Sequence, residues 1–438
     1  MRSRDRQSLR NIRLELMRAF LASDSALGLF DVQLGLAAEI QASETGQGDE
    51  EWYHRRRLRN IGDAVAWSVL TPHAIRNLLV PGRKTPSLTA QGPAFAHVLA
   101  TGRSLLETGA FVVVSDLTNC IGTGDLVAIG DPNAPVLIEC KLSVRSPEQQ
   151  MQGRRGRQLS RDRAIASYLK NGRGFVPGVP GEKVAVEVRA EPKHHWDSIA
   201  VVIRDALANE MGVVMKDREA IWAVYQGAPK PAPDELAVFR GREILVGCHS
   251  ALLSDDPPLV APPLVWPIEP ELVFALAECD IVLSHALEFS LFEGHGTSRF
   301  RLRGLRKLEA GIMGVVAEVD GRTLTLGPRF LANVVYGFET VESAAAHMLE
   351  AVERSLDVET VLASEPSPNE RSSRKPKVHL IENRTDAERL LTGHRGREVA
   401  DDDIVIFGPE FDRTLGVQGV PLRAGSVILV GKANKRDE

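Results

Sequence analysis

Residues 123 to 143 read TGDLVAIGDPNAPVLIECKLS. Two runs of Val, Leu, Ile and Ala flank GDPNAP, a turn-forming group rich in Gly, Pro, Asp and Asn. Neither run alternates apolar with polar residues as a half-exposed strand does, so both faces of each strand have to be covered. That requirement points to a layered α/β fold in which this hairpin lies in a central, covered sheet. Charge is confined to the turn and the ends. Glu139 and Lys141 are two apart and project from one face of the strand, while Cys140 points to the other. With the turn centred near residues 132 and 133, Asp125 at the start of the first strand stands beside that tip. Two carboxylates and a lysine therefore converge at one end of the sheet.

The surrounding sequence supplies the covering elements. Leu9, Ile12, Leu16 and Phe20 recur at helical spacing in the first helical segment, and Ser23 or Asp24 can cap a second helix. Leu58, Ile61, Val65 and Val69 predict a helix over about 52–70, and GPAFAHVLATGRSLLETG predicts another ending at Gly109. AFVVVS reads as a buried strand, RRGRQLSRDRAIASYLK as a helix and KVAVEVRAE as a further strand. The order over 92–190 is helix, three strands, helix, strand. Downstream, Trp196, Ile199, Ile203 and Leu207 mark an amphipathic helix over 196–211. VFRGREILVGCHS predicts a strand, residues 270–290 a long helix, Asp320-Gly321 a tight hairpin and 341–356 a helix. The expected division is a helical region 1–90, a core 91–230, an α+β part 231–362, a linker 363–377 and a small β-rich segment 378–438.

Composition narrows the function classes. With 438 residues and 43% hydrophobic content the chain can bury two or three cores. Its longest apolar runs fall far short of the roughly 18 residues a membrane span needs, so no membrane partner and a cytoplasmic location are expected. Four cysteines without metal-ligand spacing are expected to be free thiols. A formal charge of −5 leaves nucleic-acid binding to local patches: HRRRLR at 54–59, with Arg55 and Arg56, and RRGRQLSRDR at 154–163, with Arg154, Arg155, Arg157 and Arg161. Trp52 and Tyr53 beside the first patch are expected to pack against the core. His194-His195, His249, His285 and His295 lack metal-ligand spacing and are expected to be structural or surface histidines.

Two carboxylates at a sheet end suit Mg²⁺ or Mn²⁺, hard cations that keep waters for a substrate phosphate. A lysine beside them can orient a metal-bound water and offset charge growing on phosphorus oxygens. With Gly124-Asp125 opening one strand and Glu139-Cys140-Lys141 closing the next, the segment resembles the PD-(D/E)xK, restriction-endonuclease-like nucleases. The tripeptide alone carries little, since Glu191-Pro192-Lys193 also matches it; the strand setting and element order carry the resemblance. It implies that Asp125 and Glu139 are metal ligands, that the Cys140 carbonyl is a further ligand and that Lys141 is the catalytic lysine. An additional acid is expected from Asp63 on the earlier helix, with Glu107 and Asp116 as alternatives. Some members carry Gln and Tyr on the helix after the motif, where this chain has Gln158 and Tyr168. The implied activity is Mg²⁺-dependent hydrolysis of phosphodiesters, in DNA before RNA, in defence against foreign DNA or in repair. Its rivals are a catalytically inactive nucleic-acid-binding or scaffold module, and a nuclease gated by a C-terminal sensor. The oligomeric state is open, a homodimer being one alternative. The plain alternative for the charged tip is an ordinary ion pair at an exposed sheet edge.

Overall fold

The structure is a computed structural model that describes residues 5–46, 48–80, 85–132, 135–144, 153–175, 182–185, 188, 191–226, 238–239, 242–253, 259–296, 300–307, 313–319, 322–326, 329–364, 378–381, 404–407 and 427–433. The chain is mixed α/β and divides into two compact units, Met1–Ala185 with Pro366–Glu438, and Val186–Glu365.

The first unit opens with six helices: α1 (Arg6–Leu21), α2 (Ala26–Glu44), α3 (Asp49–Val69), α4 (Pro72–Leu78), α5 (Leu88–Gln91) and α6 (Pro93–Leu106). Their starts are set locally. Asp5 accepts the Ser8 amide at 2.8 Å, Ser25 accepts the Gly28 amide at 3.1 Å, and Thr71 caps α4 ahead of Pro72. Leu29, Val32, Leu36 and Ile40 form the buried stripe of α2, each such side chain stabilising the fold by about 1.5–3 kcal/mol. Then come β1 (Phe111–Val114), β2 (Leu126–Ile129), β3 (Val136–Val144), α7 (Gly153–Asn171), β4 (Arg173–Phe175) and β5 (Glu182–Val184). β1 lies at the sheet edge, and Gln33 of α2 meets its backbone, donating to Val112 O at 2.8 Å and accepting from Val114 N at 2.7 Å. Unpaired edge groups are thereby satisfied by a helix side chain.

The second unit contains α8 (Trp196–Asn209), β6 (Met211–Lys216), β7 (Glu219–Tyr225), β8 (Ile244–Cys248), α9 (Pro270–Ala277), β9 (Ile281–Glu288), β10 (Glu293–Gly296), β11 (Phe300–Lys307), β12 (Met313–Val319), β13 (Arg322–Leu326), α10 (Arg329–Val335) and α11 (Val341–Ser364). It has one sheet in the order β6-β7-β9-β8 and another in the order β10-β11-β12-β13. Ile199, Val202 and Ile203 of α8 pack with Ile221 of β7 and Ile281 and Leu283 of β9 in its main core. The long helix expected over 270–290 is instead α9 followed by β9. Cys279 sits at φ 56, a left-handed position that ends the helix, and β9 then pairs with both β7 and β8. Val319 opposite Arg322 fits the expected tight hairpin, whose Asp320 and Gly321 lie outside the described residues.

The chain returns to the first unit with β14 (Val378–Ile381), β15 (Ile404–Phe407) and β16 (Val427–Ala433). They extend the sheet to the order β1-β2-β3-β16-β15-β14, antiparallel as far as β3 and parallel beyond it. β3 is therefore central, as its apolar faces require. Its far neighbour is not the expected strand at 183–191: within that stretch only the end of β5 is strand among the described residues, and β5 pairs with β4 alone. The expected divisions shift accordingly. The core of the first unit ends at Ala185, and the segment 378–438 belongs to it. Residues 363 and 364 end α11, and the remainder of the expected linker lies outside the described residues.

Candidate active site

β2 and β3 pair with Leu126 opposite Ile138, Val127 opposite Leu137 and Ala128 opposite Val136. One step outward this register sets Asp125 across from Glu139, and the Asp125 N–H donates to Ile138 O at 2.8 Å. Gly124, at φ 72, turns the chain into the strand at a position where a Cβ would lie 3.2 Å from Leu126 O. Asp125 is half-buried, and its Oδ2 accepts the Cys140 N–H at 2.7 Å, holding the carboxylate against the β3 backbone. Cys140 itself is buried and in register with Val430 of β16. β3 continues through Lys141, in register with Gly431. The Lys141 side chain lies outside the described residues.

Glu139 is 1% exposed and faces α7, which packs over β3 and β16. Gln158 and Asp162 are one helical turn apart on that helix and share a face. Gln158 Nε2 donates to Glu139 Oε1 at 2.7 Å. Asp162 is fully buried, and no donor reaches its Oδ2. Burial, then the charge of Glu139 and a hydrogen bond shared with it, push the Asp162 carboxyl up to about 8, against the opposing pull of Arg161. Arg161 Nη2 stands 3.4 Å from Asp162 Oδ1. At neutral pH the Asp162 carboxyl therefore keeps its proton beside Glu139. The orphaned oxygen and the carboxyl groups of Asp125, Glu139 and Asp162 fit a hard divalent ion that would take the place of that proton.

The expected additional acid, Asp63, is engaged elsewhere. Its Oδ1 accepts the amides of Asn119 at 2.6 Å and Cys120 at 2.9 Å, and its Oδ2 accepts Asn119 Nδ2 at 2.9 Å. Burial raises its pKa and these hydrogen bonds oppose the rise. Gly62 makes this contact possible, since a Cβ there would come within 2.0 Å of Leu117 O. Asp116 accepts Gln91 Nε2 at 2.9 Å and lines a shallow cleft with Val80, Ser115 and Thr118. Glu107 is exposed at the C-cap of α6. Tyr168 is buried beside His73, with ring centroids 5.6 Å apart. The carboxylate brought to Glu139 is thus Asp162, which sequence reasoning passed over. Its signal was the four-residue spacing from Gln158, hidden by the basic residues around both.

Arg55 is half-buried and donates to Ser43 O at 2.6 Å, and Arg56 is half-buried on the same helix. Trp52 and Tyr53 are not core residues as expected: they are 39% and 48% exposed and meet edge to face at 4.9 Å. Arg154, Arg155 and Arg157 lie on the N-terminal part of α7, their side chains outside the described residues. No helix among the described residues is long and apolar enough to cross a membrane. The described residues hold one group of three metal-ligating side chains within 4.8 Å of one another, His195, Glu219 and His285, and it lies in the second unit. Comparison with protein-family models, with curated proteins and with solved structures finds no match to this chain.

Proposed function

We propose that the first unit is a restriction-endonuclease-like, Mg²⁺- or Mn²⁺-dependent nuclease that hydrolyses phosphodiesters of DNA. The observation that carries this reading is the buried carboxyl pair of Glu139 on the central strand and Asp162 on α7, beside Asp125 and two residues before Lys141. Asp125, Glu139 and Asp162 would hold the ion, with the Cys140 carbonyl as the further ligand the family resemblance implies. Asp63 would act through the loop it closes. A bound divalent ion supplies an activated water and positive charge opposite the phosphoryl oxygens. Gln158 fixes the Glu139 carboxylate by its hydrogen bond, so the ligand does not have to reorganise. Lys141 orients the attacking water and offsets charge on the phosphate. Arg154, Arg155, Arg157 and Arg161 on α7, with Arg55 and Arg56 on α3, would contact backbone phosphates.

A second reading, nucleic-acid binding without cleavage, draws on the exposed Trp52–Tyr53 pair next to Arg55 and Arg56, an aromatic and basic surface suited to stacking on single strands. One assay separates the two. Plasmid and single-stranded DNA are incubated with Mg²⁺ or Mn²⁺ and the wild-type chain, Glu139→Ala, Lys141→Ala or Asp162→Asn. The nuclease reading expects cleavage that falls by about 10²-fold or more in each variant. Cleavage that survives all three would overturn it, and binding without cleavage by the wild type favours the second reading.

A further inference from the structure

We propose that the second unit carries a Zn²⁺-type metal site built by His195, Glu219 and His285. It is independent of the proposed nuclease centre and of different chemistry. The three ligating atoms lie within 4.8 Å of one another. His195 is the residue just before α8, Glu219 opens β7, and His285 is in the middle of β9. The β7–β9 register places Ile221 opposite His285 and Glu219 opposite Leu287, so Glu219 and His285 are diagonal neighbours on one face of the sheet. Both histidines are buried, at 6% and 0% exposure, and the Glu219 side chain is 12% exposed.

One ring nitrogen of His285 is fixed by the backbone, which leaves the other to face Glu219. Val334 O can only accept, so His285 Nδ1, 3.1 Å away, carries a proton, and Nε2 is the atom turned to Glu219 at 2.6 Å. An imidazole whose second nitrogen is fastened to a backbone carbonyl in this way is oriented as metal-binding histidines are. His195 Nε2 lies 2.9 Å from the same Glu219 oxygen but is not aligned for a hydrogen bond with it. Phe338 holds both residues. Its carbonyl accepts the His195 backbone N–H at 3.0 Å and its ring stacks on His285 at 5.2 Å.

Tetrahedral zinc with ligands at about 2.0–2.2 Å sets them roughly 3.3 Å apart, so the two contacts to Glu219 need to open by only about half an ångström. Two imidazoles and one carboxylate suit zinc and discriminate against Mg²⁺ and Ca²⁺. Three protein ligands leave a fourth position for water. Bound there, the ion would tie the start of α8 to the β7–β9 pair.

The test uses the full chain, stripped with chelator and reloaded with Zn²⁺ or Co²⁺. The expected result is one ion per chain in Glu139→Ala, where the proposed nuclease centre is disabled, a rise in Tm on loading, and an X-ray absorption shell of nitrogen and oxygen with two imidazoles. His195→Gln and Glu219→Gln are expected to weaken binding by about tenfold or more, while Glu139→Ala retains it. Failure of the wild type to bind either ion overturns the proposal. So does a shell containing sulfur, which would move the ion to the cysteines, or unchanged affinity in both variants. Should the variants not fold, the wild-type absorption shell alone decides.

Discussion

The Asp162 carboxyl, pushed up to about 8 by burial and by Glu139, makes the metal-free chain sensitive to pH. Below the ordinary carboxylate range both folded and unfolded states hold the proton. Between there and about 8 the folded chain keeps a proton that the unfolded chain has lost, so this group's contribution to stability falls as pH rises. Above about 8 the loss is complete. Asp162→Asn, neutral throughout and able to donate to Glu139, should flatten that dependence. At pH 8 it should stabilise the metal-free protein by about 1–3 kcal/mol, measured by urea unfolding at pH 5 and pH 8, and the stabilisation by Mg²⁺ or Mn²⁺ that the proposed function predicts for the wild type should be absent from it. Asp63 behaves differently, because its partners are amides of the 119–120 loop. Asp63→Ala strands buried donors at about 1–3 kcal/mol each, and Asp63→Asn, which keeps an acceptor, should cost less. A Tm series across the two variants checks the order.

Elements were legible where short-range terms decide them. The hairpin and its register depend on residues within a few positions of one another, and so does the start of α2, where the cap is Ser25 and not the expected Ser23 or Asp24. The segment 270–290 misled because its apolar residues satisfy a helix as well as a doubly paired strand. Neighbours β7 and β8, far off in sequence, settle it as strand. Trp52 and Tyr53 were assigned to the core by residue type, yet the face of α3 that is buried is the one bearing Leu58, Ile61 and Val65. The same helix approaches the 115–118 turn through Gly62, where a Cβ would lie 2.0 Å from Leu117 O. Gly62→Ala gains helix propensity but has to push that turn away. A net loss of about 1–3 kcal/mol is expected, read as a lower thermal midpoint, and unchanged stability would mean that α3 can shift without cost.

At the scale of the molecule, the first unit is closed by strands from the far end of the chain. β3 has Leu137 and Ile138 fully buried, and β16 covers the edge beyond it. A chain ending at residue 365 would present that edge and its apolar faces to solvent. It should lose the monodisperse folded state, checked by size exclusion and circular dichroism, whereas a segment that merely follows a linker could be removed without harm. The residues themselves determined the mixed α/β class, the central hairpin, and the meeting of Asp125 and Glu139 at its end, because apolar patterning and turn chemistry act over short stretches of chain. The tertiary structure alone decided that Asp162 joins Glu139, that Asp63 closes a loop, that β16 lies beside β3, and that His195, Glu219 and His285 meet. Those are contacts between separate elements, set by packing and by the need of buried polar groups for partners.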